Sequence, residues 1–381
     1  MRHVALLIET SRSHGRAMIR GVRRYVAEHE PWSLYLELRA LDSPPPAWLR
    51  RWQGDGILTR TASRRMAEVI RATGLPAVEL RATKLGHGLP FVGIDNSSLG
   101  RLVADHLIEG GFRRFAIFTV DSERYFEERR ANFIARIEDV GHPWSEFAAP
   151  ARAERPADWE RHQARLVAWV RSLDKPVGIF ACTDQLGFWL LDACRRAGVA
   201  VPEEVAVVGV ENDETLCLSA SPPLSSVEFD SQRLGYAAAR LLDSLMAGGQ
   251  PPAGPLLLPP AGLEVRQSSD IVAIDDPQLA AAVRFIREHA ARGATTADVL
   301  RLVPVSRRVL DRQMRAVLGR SIAAEIARVR FMKVKNLLAE TDLPLAAIAE
   351  RSGFAYHQSM AESFKRRFGL TPGEFRAEQQ R

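Results

Sequence analysis

A change of pattern near residues 268–277, within SSDIVAIDDPQ, constrains the fold more than any other feature. Before it, short apolar runs alternate with stretches of helical period. The runs are HVALLIE, WSLYLEL, GDGILTR, LPAVELR, FVGID, FRRFAIFTV, PVGIFACTD and VAVVGV. Between them lie GRAMIRGVRRYVAEH, SRRMAEVIRATG, SSLGRLVADHLIEGG, RANFIARIEDVG and QLGFWLLDACRRAGV. Continuous apolar strands separated by helices predict parallel sheets covered on both faces, an α/β architecture. After the change no strand pattern survives, and the last hundred residues read as helices.

With 381 residues, two or three domains are expected, and a hydrophobic content of 46% suffices for real cores. No run approaches eighteen uninterrupted apolar residues, so no membrane span is expected. The opening MRHVALLIETSRSHGR reads as a first strand rather than a signal peptide. Cys182, Cys194 and Cys217 show no CxxC spacing and no His or Cys neighbours at ligand spacing. Buried, reduced thiols in a cytoplasmic protein follow, with no metal and no cofactor. No strand leads into GxGxxG, and neither a Walker motif nor a GxSxG elbow is present, which leaves an enzyme fused to the helical tail as the remote alternative. Charge is unevenly placed. Residues 276–381 hold 19 Lys+Arg against 11 Asp+Glu, a surplus of 8, while residues 1–275 are left with 33 and 35. A polyanion partner for the tail is consistent with this, as is a solvated basic surface.

The tail repeats one arrangement. Thr295 or Thr296 is placed to cap ADVLRLV, Pro304 falls in a turn, and Ser306 is placed to cap RRVLDRQMRAVLG. On that helix Leu310, Met314, Val317 and Leu318 form a stripe, while Arg308, Asp311, Arg312 and Arg315 share another face. A long helix, about 322–340, leads to LPLAAIAERSGF and then to SGFAYHQSMAESFKRRFG, where Met360, Phe364 and Phe368 are the stripe. His357, Gln358, Glu362 and Lys365 lie opposite. Each unit reads as a helix, a turn and a second helix with a polar face, the arrangement that enters a major groove.

From about residue 276 the tail resembles the AraC/XylS transcription regulators. The resemblance rests on Gly353-Phe354, Phe364-Lys365 and the close from Gly369 through Arg376. It implies two recognition helices in successive major grooves of double-stranded DNA. Base contacts would fall on Arg308, Asp311 and Arg312 in the first helix, and on His357, Gln358 and Glu362 in the second. Arg307, Arg315, Tyr356 and Lys365 complete the implied DNA-facing set. Arg suits G, Gln suits A, and Asp or Glu can accept from C.

In the first 270 residues, polar clusters sit at the C-terminal ends of apolar strands, where open α/β sheets place ligands. Asp95 follows FVGI, Asp184 follows GIFACT and Glu211 follows AVVGV; Arg129 and the first loop, with Ser13 and His14, supply donors. Such a mixed ring suits a neutral polyol, although Asp184 would serve equally as an N-cap for the helix after it. These stretches resemble the LacI/GalR-type sensor domain, of periplasmic-binding-protein fold, over residues 4–265. Asp95, Arg129, Asp184 and Glu211 align with its ligand-contacting positions, with Glu211 where Asp is usual. The resemblance implies two lobes with three crossings between them: lobe one about 1–111 and 228–250, lobe two about 112–227 and 251–270, and a DNA-binding domain over 271–381.

A sensor first and a DNA reader last is the order of the xylose-type operon regulators of enteric bacteria. Likeness to them runs through RGVRRY, GIDN, TDQ, LSSV and LLPPAGLEVRQSSD. It implies a homodimer that binds a sugar, D-xylose, and regulates pentose genes as an activator, with RNA polymerase as a further partner. A regulator of either sign sensing another sugar or a sugar acid is the alternative.

Overall fold

The computed structural model describes residues 1–86, 88–149, 159–270, 274 and 276–379. Residues 271–273 and 275, within the stretch where the pattern changes, lie outside them. The chain divides into two compact units, Met1–Asp270 and Ile271–Arg381.

The first unit has two lobes. In one, β1 (Arg2–Leu7), β2 (Trp32–Leu36), β3 (Gly56–Thr59) and β4 (Ala77–Glu79) form a parallel sheet in the order β2-β1-β3-β4. A single bridge from Glu79 to Phe91 leads on to β5 (Val92–Ile94), which pairs in parallel with β11 (Leu256–Leu258). Val4, Leu6, Leu58, Val78 and Val92 bury one face beneath α1 (Ser13–Glu28) and α8 (Ser231–Met246). Ala5, Leu7 and Ile57 bury the other beneath α2 (Arg64–Ala72). Burial on both faces explains why these strands read as unbroken apolar runs. Helices α1 and α8 meet where neither has a side chain. A Cβ on Gly21 would lie 1.9 Å from the Gln232 carbonyl oxygen, and one on Gly235 2.0 Å from that of Met18.

The second lobe carries β6 (Phe115–Val120), β7 (Trp144–Ala149), β8 (Val177–Ala181), β9 (Val205–Val210), β10 (Ser225–Glu228) and β12 (Gly262–Glu264). Their order is β12-β10-β9-β8-β6-β7, parallel except for β12. Around them pack α3 (Asn96–Glu109), α4 (Arg124–Asp139), α5 (Trp159–Ser172), α6 (Asp184–Ala197) and α7 (Glu214–Ser219). The three cysteines are buried and free.

Two expected lobe boundaries are corrected. Lobe one ends at about residue 95 rather than 111, because α3 packs on the second lobe. A Cβ on Gly100 would lie 2.6 Å from the Arg129 carbonyl oxygen on α4, and Leu107 packs against Gly178 of β8. The final crossing falls after residue 258 rather than at 250, because β11 adds to β5 in lobe one. Strands β7, β10, β11 and β12 and helices α5, α7 and α8 are not among the runs that periodicity marks.

The second unit is helical: α9 (Pro277–His289), α10 (Thr296–Leu302), α11 (Arg307–Leu318), α12 (Ile322–Glu340), α13 (Leu345–Arg351), α14 (His357–Phe368) and α15 (Pro372–Gln379). Thr295 and Asp298 form a capping box at α10, and Ser306 caps α11. Phe331, Val334 and Leu338 of α12 pack with Ile348, Met360 and Phe364, binding α13 and α14 to the long helix. The carboxylate of Glu325, fully buried, meets Arg328 at 2.8 Å, Arg287 at 3.5 Å and Arg320, tying α9 and the turn after α11 to α12. Among the described residues no helix is long and apolar enough to cross a membrane.

Candidate effector cavity and DNA-reading helices

A cleft opens between the two lobes of the first unit at the C-terminal ends of their parallel strands. Its polar wall is Arg12, His14, Arg60, Arg81, Asn96, Tyr125, Arg129 and Glu211; Met18, Leu80, Phe91, Phe229 and Leu234 supply apolar wall. Arg129 is buried, donates through Nε to Asn96 Oδ1 at 2.9 Å and through Nη1 to the Cys182 carbonyl at 2.6 Å, and lies 5.0 Å from the Tyr125 ring centre. His14 is lowered from the usual imidazole range by burial, which outweighs the pull of Glu211, so it is neutral at pH 7. Arg60 pairs with the fully buried Glu9; burial and then the Arg81 guanidinium press it down to about 10, still charged at neutral pH.

Glu211 has φ +113° and Asn212 φ +48°, a left-handed stretch that costs non-glycine residues about 1–3 kcal/mol each. The turn is held by its neighbours. Glu211 N–H donates to the Val227 carbonyl at 2.9 Å, Asn212 N–H to Ser226 Oγ at 3.0 Å, and Arg266 donates to Asn212 Oδ1 at 2.8 Å. The strain presents Glu211 to the cavity.

Of the six ligand residues expected from sequence, His14, Arg129 and Glu211 line the cavity. The other three do not line it. Asp95 turns its carboxylate onto the start of α3, accepting from Ser97 N–H at 3.0 Å and Ser98 N–H at 3.1 Å, and its neighbour Asn96 takes the wall position. Ser13 donates to Asp213 at 2.7 Å instead of facing the cavity. Asp184 is fully buried behind the wall, accepting from Ser226 Oγ–H at 2.5 Å and Asp213 N–H at 2.7 Å. Burial, then the nearby Glu211 charge, push its carboxyl up to about 7. It is not the N-cap of α6 either, since Thr183 accepts from Leu186 N–H.

Sequence reasoning missed Glu9, Arg12, Arg60, Arg81, Asn96 and Tyr125. A usable signal existed for three. Glu9 follows HVALLI, Arg60 follows GILT and Arg81 follows AVEL, the same strand-end positions that drew attention to Asp95. At the wall, and behind it at Glu9, are polar atoms in need of partners. Glu9 Oε2, His14 Nδ1, Arg60 Nε and Arg81 Nε are buried without a hydrogen bond, at about 1–3 kcal/mol each.

In the second unit, α11 buries Leu310, Met314 and Leu318, and α14 buries Met360 and Phe364. Arg307, Arg308, Arg312 and Arg315 are exposed on α11; Tyr356, His357, Gln358, Glu362 and Lys365 are exposed at the start and along the outer face of α14. Asp311 is the exception. Its Oδ1 accepts from Ile322 N–H at 2.9 Å, so it holds the start of α12. Gly353 ends α13 at φ +76°, where a Cβ would lie 2.4 Å from the Ala290 carbonyl oxygen.

Comparison with known proteins agrees with this division. Residues 104–269 match a periplasmic binding protein-like domain, and residues 300–378 a helix-turn-helix domain. The xylose operon regulatory protein of Haemophilus influenzae is 29% identical over 98% of this chain and 97% of its own. That of Escherichia coli K12 is 28% identical over 98% and 96%. A solved structure described as a xylose-binding transcription activator superposes with a TM-score of 0.82 at 26% identity, covering 99% of this chain and 98% of that one.

Fold, cavity and paired helix-turn-helix units define a ligand-sensing, DNA-binding transcription regulator rather than an enzyme. Within that class the chain is similar over nearly its full length to xylose operon regulatory proteins, with a periplasmic binding protein-like domain preceding a helix-turn-helix domain.

Proposed function

We propose that the chain is a D-xylose-responsive regulator which acts as a cytoplasmic homodimer and activates pentose genes through RNA polymerase. The observation that carries the ligand class is the charge balance of the cavity. Arg60 is matched by Glu9, and Arg81 by Glu123 at 3.3 Å. Arg12 and Arg129 remain, with Glu211 and a neutral His14 facing the same space. Such a wall both donates and accepts at nearly balanced charge, which suits the hydroxyls of a neutral sugar. Kinship with xylose operon regulatory proteins selects D-xylose as the sugar to test first.

The mechanism is closure. Arg60 and His14 belong to one lobe and Arg129 and Glu211 to the other, so a sugar between them binds the closed form better, the only way a ligand shifts such an equilibrium. In the reader, Arg308 and Arg312 are assigned to guanine, Gln358 to adenine and Glu362 to cytosine, with His357 also on a base edge. Arg307, Arg315, Tyr356 and Lys365 are assigned to the backbone. Calorimetric titration of D-xylose, together with mobility shifts on the chain's own upstream DNA with and without sugar, tests the proposal. Retained DNA binding with no response to D-xylose would refute the effector and leave the reader standing.

A further inference from the structure

We propose that Glu9, Arg60 and His14 form the selectivity wall of the cavity: Arg60 and His14 bind adjacent sugar hydroxyls, and Glu9 is the positioning residue that aims Arg60. This rests on the reading of the cavity as a sugar site.

The three residues are brought together by the sheet. Strands β1 and β3 are parallel neighbours with Leu7 beside Thr59, and Arg60 N–H donates to the Leu7 carbonyl at 3.1 Å. Glu9 and Arg60 therefore leave adjacent strand ends side by side. The first turn of α1 then lies directly on Glu9. A Cβ on Gly15 would sit 2.0 Å from the Glu9 carbonyl oxygen, so only glycine allows that approach, which brings His14 Nε2 to 3.7 Å from Glu9 Oε1.

The carboxylate has no exposure and the Arg60 side chain is 10% exposed, yet the pair is incomplete. An ion pair that serves packing alone needs its remaining donors and acceptors met inside the protein. Here Arg60 Nε, Glu9 Oε2 and His14 Nδ1 have no hydrogen-bond partner, and the side chains of Arg60 and His14 border the cavity. A guanidinium fork held from behind by a carboxylate offers two parallel donors to a vicinal pair of hydroxyls. A buried site built for a hydroxyl rejects the sugar in which that hydroxyl is inverted, because its own groups are then left unpaired.

D-Lyxose, D-ribose and L-arabinose each invert one hydroxyl of D-xylose, at carbons 2, 3 and 4. The test is calorimetric titration of these four sugars into full-length wild type, Arg60→Ala, Arg60→Lys and Glu9→Gln. Arg60→Ala is expected to weaken D-xylose by about ten- to a hundredfold. It should also collapse the preference over the epimers inverted at the hydroxyls that Arg60 holds, two at most, while the remaining ratio holds. Arg60→Lys, which keeps the charge and loses the fork, should move those same ratios part of the way, and so should Glu9→Gln. Equal loss for all four sugars, or unchanged binding, would overturn the proposal. If Arg60→Ala fails to fold by tryptophan emission, Arg60→Lys decides. Wild type binding none of the four would instead refute the sugar reading on which the wall depends.

Discussion

Asp184→Asn should change the pH dependence of the sensor unit's stability. The carboxyl of Asp184 is pushed up to about 7 by burial and by Glu211, against 3.8 ordinarily. A carboxyl whose folded value is raised binds more protons folded than unfolded between those two values. Its contribution to stability is therefore complete below about pH 4 and lost as pH rises through about 7. Three units at 1.36 kcal/mol each give a loss of about 4 kcal/mol across that window. Asparagine does not titrate, so wild type should lose about this much relative to Asp184→Asn between pH 4 and pH 8. All seven tryptophans lie in residues 1–270, at 32, 48, 52, 144, 159, 169 and 189, so urea unfolding of the whole chain followed by tryptophan emission reports on the sensor alone. A flat difference, or one in which wild type gains on the variant as pH rises, would refute the reasoning.

In the reader, Arg308→Ala and His357→Ala should each relax preference at particular operator positions by about 1–3 kcal/mol, read by binding to single-base operator variants. Lys365→Ala should weaken all sequences alike and flatten the salt dependence; equal losses for all three would mean that the base-facing rows are misassigned. Gly353→Ala and Gly369→Ala share nearly the same backbone, φ +76° and +78°, but only at 353 would a Cβ meet another segment. Both should lose about 1–2 kcal/mol to the left-handed conformation, and Gly353→Ala distinctly more, by hydrogen exchange of α13 and α14. Arg129→Ala should cost about 1.5–3 kcal/mol of sugar affinity by calorimetry while leaving DNA binding without sugar intact.

The sequence was most legible where local chemistry and packing agree. The stripe Leu310, Met314, Leu318 and the caps at Thr295 and Ser306 need no distant contact to be recognised, and all are as the pattern implies. Strands that are short or half-exposed escaped. Residues Trp144–Ala149 form an edge strand with only Ala149 fully buried, so no apolar run marks it, and β11 and β12 are three residues each. At the site, sequence located the strand ends but not the direction of the side chains. Asp184 turns inward because Gly209 on the neighbouring strand leaves room, where a Cβ would lie 2.4 Å from its Oδ1. Asp95 and Asn96 exchange roles because the helix begins between them. Asp311 shares a helical face with its arginines and is withdrawn from it only by the start of α12 eleven residues on. Each of these outcomes is set by a contact far along the chain.

The interlobe contacts also indicate where the free energy of switching must come from. The lobes are bridged by Arg81–Glu123 at 3.3 Å, by Lys84 with Asp121 and Glu127 at 2.7 Å each, and by Ser13–Asp213 at 2.7 Å. Lys84, Asp121 and Glu127 are solvent-exposed, and pairs of that kind contribute about 0–1 kcal/mol. Turning a population from 1:99 to 99:1 takes about 5.5 kcal/mol. The exposed Lys84 pairs are therefore too weak to hold the cleft closed against an open state of that advantage. Charge-assisted hydrogen bonds contribute about 1.5–3 kcal/mol each, so two to four of them reach the threshold. The cavity offers such groups from both walls, with Arg60 on one lobe and Arg129 and Glu211 on the other, and only bonds that span the two favour the closed form. A ligand too short to touch both walls would bind without switching, which makes reach across the cleft, rather than affinity alone, the property an effector must have.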